Sequence, residues 1–144
     1  MKPETGKLKL EIRRWKLGAA WLLVLLFPMV GTSVEGIQLV CDEPVYNFGR
    51  VDQSAVITNV FTVRNEGDLT YVNKYVRTSC SCTRGRLIPR IIGPGKTAKL
   101  TAVYKAIRRK GTQKKSLRLI PLDSNEPALV FYMEGFVEPT GESR

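Results

Sequence analysis

Cys41, Cys80 and Cys82 are the residues of this 144-residue chain whose type and spacing come nearest to a reactive group. In an extended strand, side chains at i and i+2 leave the same face, so Cys80 and Cys82 would present two thiols side by side. Such a pair suits a soft metal, Cu(I) being the candidate, with Cys41 as a third ligand. Arg77, Arg84 and Arg86 lie close in sequence and would lower a thiol pKa, which also admits redox chemistry. The competing reading packs one of the two cysteines in a core and leaves the other structural or bonded to Cys41. With an odd number of cysteines, at least one thiol then stays unpaired within the monomer. A Cys80–Cys82 bridge is not expected. Two residues of extended strand advance about 6.6–6.8 Å, the far end of the roughly 4.4–6.8 Å that a disulfide spans between Cα atoms. Bending the backbone at Ser81 would suit glycine better.

The chain contains no histidine. Ser-His-Asp and Cys-His catalysis, histidine-ligated zinc and histidine pH sensing are excluded together. Asp42, Glu43, Asp123 and Glu126 sit by prolines in turns, where solvated carboxylates are ordinary and acid–base work is not expected. The expectation is a non-enzymatic protein without a cofactor, Cu(I) at the cysteines being the alternative.

The net charge is +10, from 23 basic and 13 acidic residues, and favours anionic partners. Lys105, Arg108, Arg109, Lys110, Lys114, Lys115 and Arg118 form the densest run. They either bind anionic lipid or an acidic polymer, or line a solvated hairpin whose charges guard a strand edge. Aromatic residues that would stack on bases are not interleaved with them, so nucleic acid is not an expected partner. Tyr71, Tyr75, Tyr104 and Tyr132 read as core or cross-strand residues rather than a ligand platform.

Residues 1–36 are a separate region. Basic residues from Lys2 to Lys16 precede 18 uncharged ones, Leu17–Val34, in which Leu17, Trp21, Leu22, Leu25, Phe27 and Val30 supply apolar bulk. Pro28 breaks the run, and Gly31, Thr32 and Ser33 follow. That order describes a secretory signal peptide, with cleavage after Ser33. The alternative is a retained hydrophobic anchor helix at the short end of what spans a bilayer. Both place the remainder outside the cytoplasmic membrane, in the cell envelope, with the basic end inside. An envelope protein or an anionic surface is the expected partner.

From residue 37 the pattern turns to short β-type runs between turn signals. Ile37–Cys41, Val45–Phe48 closed by Gly49, Val56–Arg64, Leu69–Arg77, Thr97–Tyr104, Ser116–Leu122 and Ala128–Val137 make about seven strands. This spacing implies an all-β, immunoglobulin-like antiparallel sandwich over 37–138, with residues 139–144 as a tail. Ile57, Phe61, Val63, Leu100, Leu117, Leu119 and Phe136 are its expected core.

In order along the chain stand Phe48-Gly49, Asn65-Glu66-Gly67, Ser79-Cys80-Ser81-Cys82-Thr83, Ile92-Gly93-Pro94-Gly95, Ser124-Asn125-Glu126-Pro127 and Gly135-Phe136-Val137. In these pieces the chain resembles a bacterial family of unknown function marked by an S-C-G-C-T motif. The resemblance implies an immunoglobulin-like fold, similar to the sandwich domains of sperm-protein and cilium-associated type that bind or scaffold, and implies no enzymatic activity. Ser81 replaces the family's glycine, and Asn73 takes a position usually apolar.

Overall fold

The computed structural model describes residues 35–139 except 124, 126 and 127. They form nine strands: β1 (Leu39–Val40), β2 (Val45–Asp52), β3 (Val56–Asn65), β4 (Tyr71–Thr78), β5 (Thr83–Ile88), β6 (Ile91–Ile92), β7 (Thr97–Lys105), β8 (Gly111–Pro121) and β9 (Val130–Glu138). No helix occurs among the described residues. One sheet runs β1-β3-β7-β5 and the other β2-β9-β8-β4-β6. Leu17, Trp21, Leu22, Leu25, Phe27 and Val30, expected to supply the apolar bulk of a signal or anchor segment, lie outside the described residues.

The alternation of apolar and polar residues decides which way each strand faces. Ile57, Phe61 and Val63 on β3 and Ala98, Leu100, Ala102 and Tyr104 on β7 point inward from the first sheet. Leu117 and Leu119 on β8 and Phe131, Met133 and Val137 on β9 meet them from the second. Phe61 and Phe131 bridge the layers with ring centroids 5.0 Å apart. Six of the seven expected core residues are buried. Phe136 is the exception: 131, 133, 135 and 137 share the inner face, so Phe136 turns outward beneath the Arg50 guanidinium, 4.8 Å from its ring. The inner position goes to Gly135, where the Phe48 ring fills the space a side chain would need.

The expectation of about seven antiparallel strands needs correction in two respects. After β1 the chain leaves the first sheet at Pro44 and joins the second, where β2 runs parallel to β9. Gly49 does not end that strand. It sits at a bulge between Asn47 and Arg50 with φ +70°, a backbone region glycine enters without steric cost. The segment from Thr83 to Ile92, not expected as strand, supplies β5 and β6, and β5 is an edge of the first sheet. Its polar character follows from its place: Gly85 faces Val76 and Leu117 so closely that a Cβ would stand 2.7 and 2.8 Å from their side chains.

Candidate functional site

The segment Ser79–Cys82 carries the chain from β4 in one sheet to β5 in the other. It is not extended. Thr83 N–H donates to Cys80 O (3.2 Å), closing a turn with Ser81 and Cys82 at its centre. Neither central residue has positive φ, so the turn needs no glycine at Ser81. The turn draws the two Cα atoms to 5.3 Å and Cys80 and Cys82 form a disulfide, contrary to the expectation from an extended strand. Ser79 N–H donates to Ser116 O and Ser116 N–H to Ser79 Oγ, both at 3.0 Å, while Lys105 N–H donates to Cys82 O at 2.9 Å. The bridged loop is thereby tied to both sheets. Thr83 Oγ1, buried beneath it, lies 3.4 Å from Cys80 Sγ.

Cys41 is not part of this group. It follows β1, on the opposite edge of the first sheet from β5. Two strands and some seven residues of register separate it from Cys82, more than about 20 Å. No Cys41 bridge and no three-cysteine ligand set is assembled, and among the described residues no cluster of three His, Cys, Asp or Glu side chains could hold a metal. Burial pushes the Cys41 thiol up against the opposing hydrogen bond from the Glu43 main chain, and the Asp42 and Glu43 carboxylates add to the rise.

The basic run does not form one surface. Its two strands belong to different sheets, so Ala106–Lys110 is a crossing and not a hairpin. Lys105 projects from the outer face of the first sheet, Arg108–Lys110 lie in the crossing, and Lys114 and Arg118 project from the outer face of the second. Lys114 ion-pairs with Glu134 (3.3 Å) and lies over the Tyr132 ring. Lys115 occupies an inward position, its ammonium 5.8 Å from the Tyr104 ring centroid. Burial lowers its pKa, and Arg109 adds to the effect. Of the tyrosines expected in the core or in cross-strand pairs, Tyr71 and Tyr104 are buried, while Tyr75 and Tyr132 face outward.

A different set of cations does converge. Arg84 and Arg86 on β5 pair in register with Val103 and Thr101 on β7. With Lys99 and Lys105 they alternate outward, so four exposed cations share the outer face of the first sheet. Neither strand carries a carboxylate. On neighbouring β3, Arg64 is engaged by Glu66. Sequence proximity missed this face because its members come from two segments; the signal was the i, i+2 spacing of Arg84 and Arg86 in an unrecognised strand.

At the far end of the sandwich Asn65 is wholly buried. Its amide donates to Leu69 O (2.7 Å) and Ile92 O (2.9 Å) and accepts from Gly67 N–H (3.1 Å), while Gly95 N–H donates to Asn65 O (2.8 Å). The Asn65-Glu66-Gly67 and Ile92-Gly93-Pro94-Gly95 motifs are therefore one structural knot. Asn73 is buried 3.2 Å from the Tyr71 hydroxyl, and the Arg90 guanidinium donates to its carbonyl.

Comparison with known proteins accords with this architecture. A family model described as "Protein of unknown function (DUF1573)" matches residues 39–137. A protein of unknown function from Porphyromonas gingivalis W83 superimposes with a TM-score of 0.60 at 16% identity, over 77% of this chain and 51% of that one. The Vibrio cholerae protease VesB gives 0.52 at 10% identity, over 69% of this chain and 32% of that one. The ASH / PapD-like domain of human CEP192 gives 0.50 at 12% identity, over 78% and 92%. The chain thus spans about half of the first and a third of the second. These likenesses are of fold: a PapD-like, immunoglobulin-like sandwich. No curated protein matches the chain.

Proposed function

The chain belongs to this family of proteins of unknown function, and we propose that it acts as a non-enzymatic binding or scaffolding module of the cell envelope that engages an anionic surface. The observation that carries this reading is the outer face of β5 and β7, where Arg84, Arg86, Lys99 and Lys105 stand without a carboxylate on either strand. Clustered cations on one face of a sheet attract acidic headgroups or polymers, and salt screens that attraction over about 8–10 Å. The basic, apolar N-terminal segment supports export or anchoring, with the sandwich outside the cytoplasmic membrane.

Because an apolar segment binds any bilayer, the test is a comparison. The full-length protein is offered vesicles of phosphatidylcholine alone and vesicles containing phosphatidylglycerol. Binding to the anionic vesicles should exceed binding to the neutral ones, and the excess should vanish with added salt and in Arg84→Glu/Arg86→Glu. Equal binding to both vesicles would refute the reading.

A second reading rests on the disulfide. Cys80 and Cys82 are half-exposed in a three-residue ring, an arrangement open to thiol–disulfide exchange with an external dithiol. Equilibration with a dithiol redox buffer tests it. A reduction potential near that of catalytic disulfides would favour exchange; one far below would leave the bridge structural.

A further inference from the structure

The edges of the two sheets differ in how they are protected. A free strand edge offers unpaired N–H and C=O groups to another chain, and proteins blunt such edges with charges, prolines, bulges or brevity. On β5, Arg84 and Arg86 do so, followed by Pro89. Along β2 there are the bulge at Gly49 and the charges of Arg50 and Asp52. β6 has two residues and is followed by Pro94. β3 has none of these devices. Its stretch Val56–Val63 reads V-I-T-N-V-F-T-V, without charge or proline. β7 covers one side over nine pairs, whereas β1 covers the other only at Arg64 and Asn65.

The unpaired groups can be assigned. Asn65 N–H donates to Lys96 O, and Ala106 N–H donates to Ala55 O, so the odd-numbered residues of β3 direct their main-chain groups to β7. The even-numbered ones, Val56, Thr58, Val60 and Thr62, direct theirs to the open side, as Glu66 does when it donates to Gln38 O. Beside them runs a groove of about 300 Å³ lined by Cys41, Asp42, Glu43, Tyr46, Asn59 and Phe61 among others. Val56 and Val60 are 60% and 50% exposed. The Asn59 side chain, half-buried on the groove, makes no hydrogen bond among the described residues.

We infer that this edge is an interface, and that its occupant is the β3 edge of a second copy of the chain, paired antiparallel about a two-fold axis at Asn59. In that register Thr58 pairs with Val60 of the other copy and Val56 with Thr62, so every free even-numbered group finds a partner. The two Asn59 amides meet across the axis at a non-hydrogen-bonded position, where Cα atoms stand about 4.5 Å apart and side chains touch. Charge selects the same arrangement. Asp42 and Glu43 flank the Thr62 end of the open run, and Lys105, paired with Val56 from β7 on the covered side of β3, stands at the Val56 end. Antiparallel symmetry sets the acidic end of each copy beside the basic end of the other. An isologous contact of this kind closes on itself and makes one continuous sheet from the two first sheets. It does not depend on what the basic face binds.

Cysteine cross-linking of the full-length protein tests it. In Cys41→Ser/Asn59→Cys, two thiols at the axis lie within disulfide reach, and mild oxidation should convert most of the chain to a dimer on a non-reducing gel. In Cys41→Ser/Thr62→Cys the two thiols are about 20 Å apart across the same register, and the chain should stay monomeric. Adding Val60→Lys, an exposed outer-face change that folding tolerates, should suppress the Asn59→Cys dimer several-fold. Absence of a dimer in a folded Asn59→Cys protein would overturn the proposal. So would equal cross-linking at both positions, which reports random collision, or a cross-link from position 59 to a different protein. A position-59 thiol that resists both oxidation and alkylation would show the edge covered by the chain's own segment and would overturn it too.

Discussion

The two ends of the sandwich are built from different materials. At the end that holds Asn65, the chain is tied by main-chain groups converging on one neutral, fully buried side chain. Nothing there titrates at the centre. At the end that holds the Cys80–Cys82 loop, the ties run through a disulfide, a buried threonine and a Tyr104–Gln113 contact of 3.3 Å, ringed by Lys105, Arg109 and Lys115. The first end fixes the strands and the second spends its stability on a charged crossing. Motif residues that look alike in sequence therefore differ in kind: Asn65 and Gly67 are scaffolding throughout, and the cysteines stand where solvent can reach them.

Breaking the first end should have the larger effect. Asn65→Ala removes two donated hydrogen bonds and one accepted one, and leaves the Leu69 and Ile92 carbonyls without that donor. A loss of about 3 kcal/mol is expected, read as a lower denaturation midpoint with unchanged slope. A loss below that of the cysteine variant would reverse the comparison. At the second end, Cys80→Ser/Cys82→Ser opens a loop of three residues, for which the chain-entropy relation gives about 1.5 kcal/mol. Thermal unfolding of this variant should show a smaller shift than Asn65→Ala, with the strand content of its far-ultraviolet spectrum intact.

The smallest effect concerns Lys115, whose pKa is lowered chiefly by burial and then by Arg109. A lysine pKa lowered by folding opposes folding while the amine is charged. That penalty is present at neutral pH and is relieved as pH rises through the folded value toward the unfolded one. Lys115→Met should keep the packing over Tyr104, raise stability slightly at neutral pH, and flatten the alkaline rise. Denaturant titrations at neutral and alkaline pH read both; destabilisation at neutral pH would mean that the ammonium holds a favourable partner.

How far the sequence disclosed this follows from which forces act locally. β3 and β7 were legible because β-branched and apolar residues alternate against polar ones over nine pairs. β5 was not, because a residue facing a close approach of the other sheet must be glycine and its outward neighbours are arginines, which together read as a loop. Phe136 was misplaced because an aromatic residue suggests a core, whereas alternation from Phe131 and Met133 turns it outward. The disulfide was missed because strand geometry was extended through Ser79–Cys82, where the chain is changing sheets. The basic face was invisible as a run because tertiary pairing, not sequence adjacency, assembles it.

On the proposed reading, this module works through a charged face and not through its cysteines. Retention of the full-length protein on an immobilised sulfated glycan, eluted with salt, sets the two against each other without a bilayer. Cys80→Ser/Cys82→Ser should elute with the unmodified protein, and Arg84→Glu/Arg86→Glu should elute at markedly lower salt. Elution shifted by the cysteine change and untouched by the arginine change would contradict that reading.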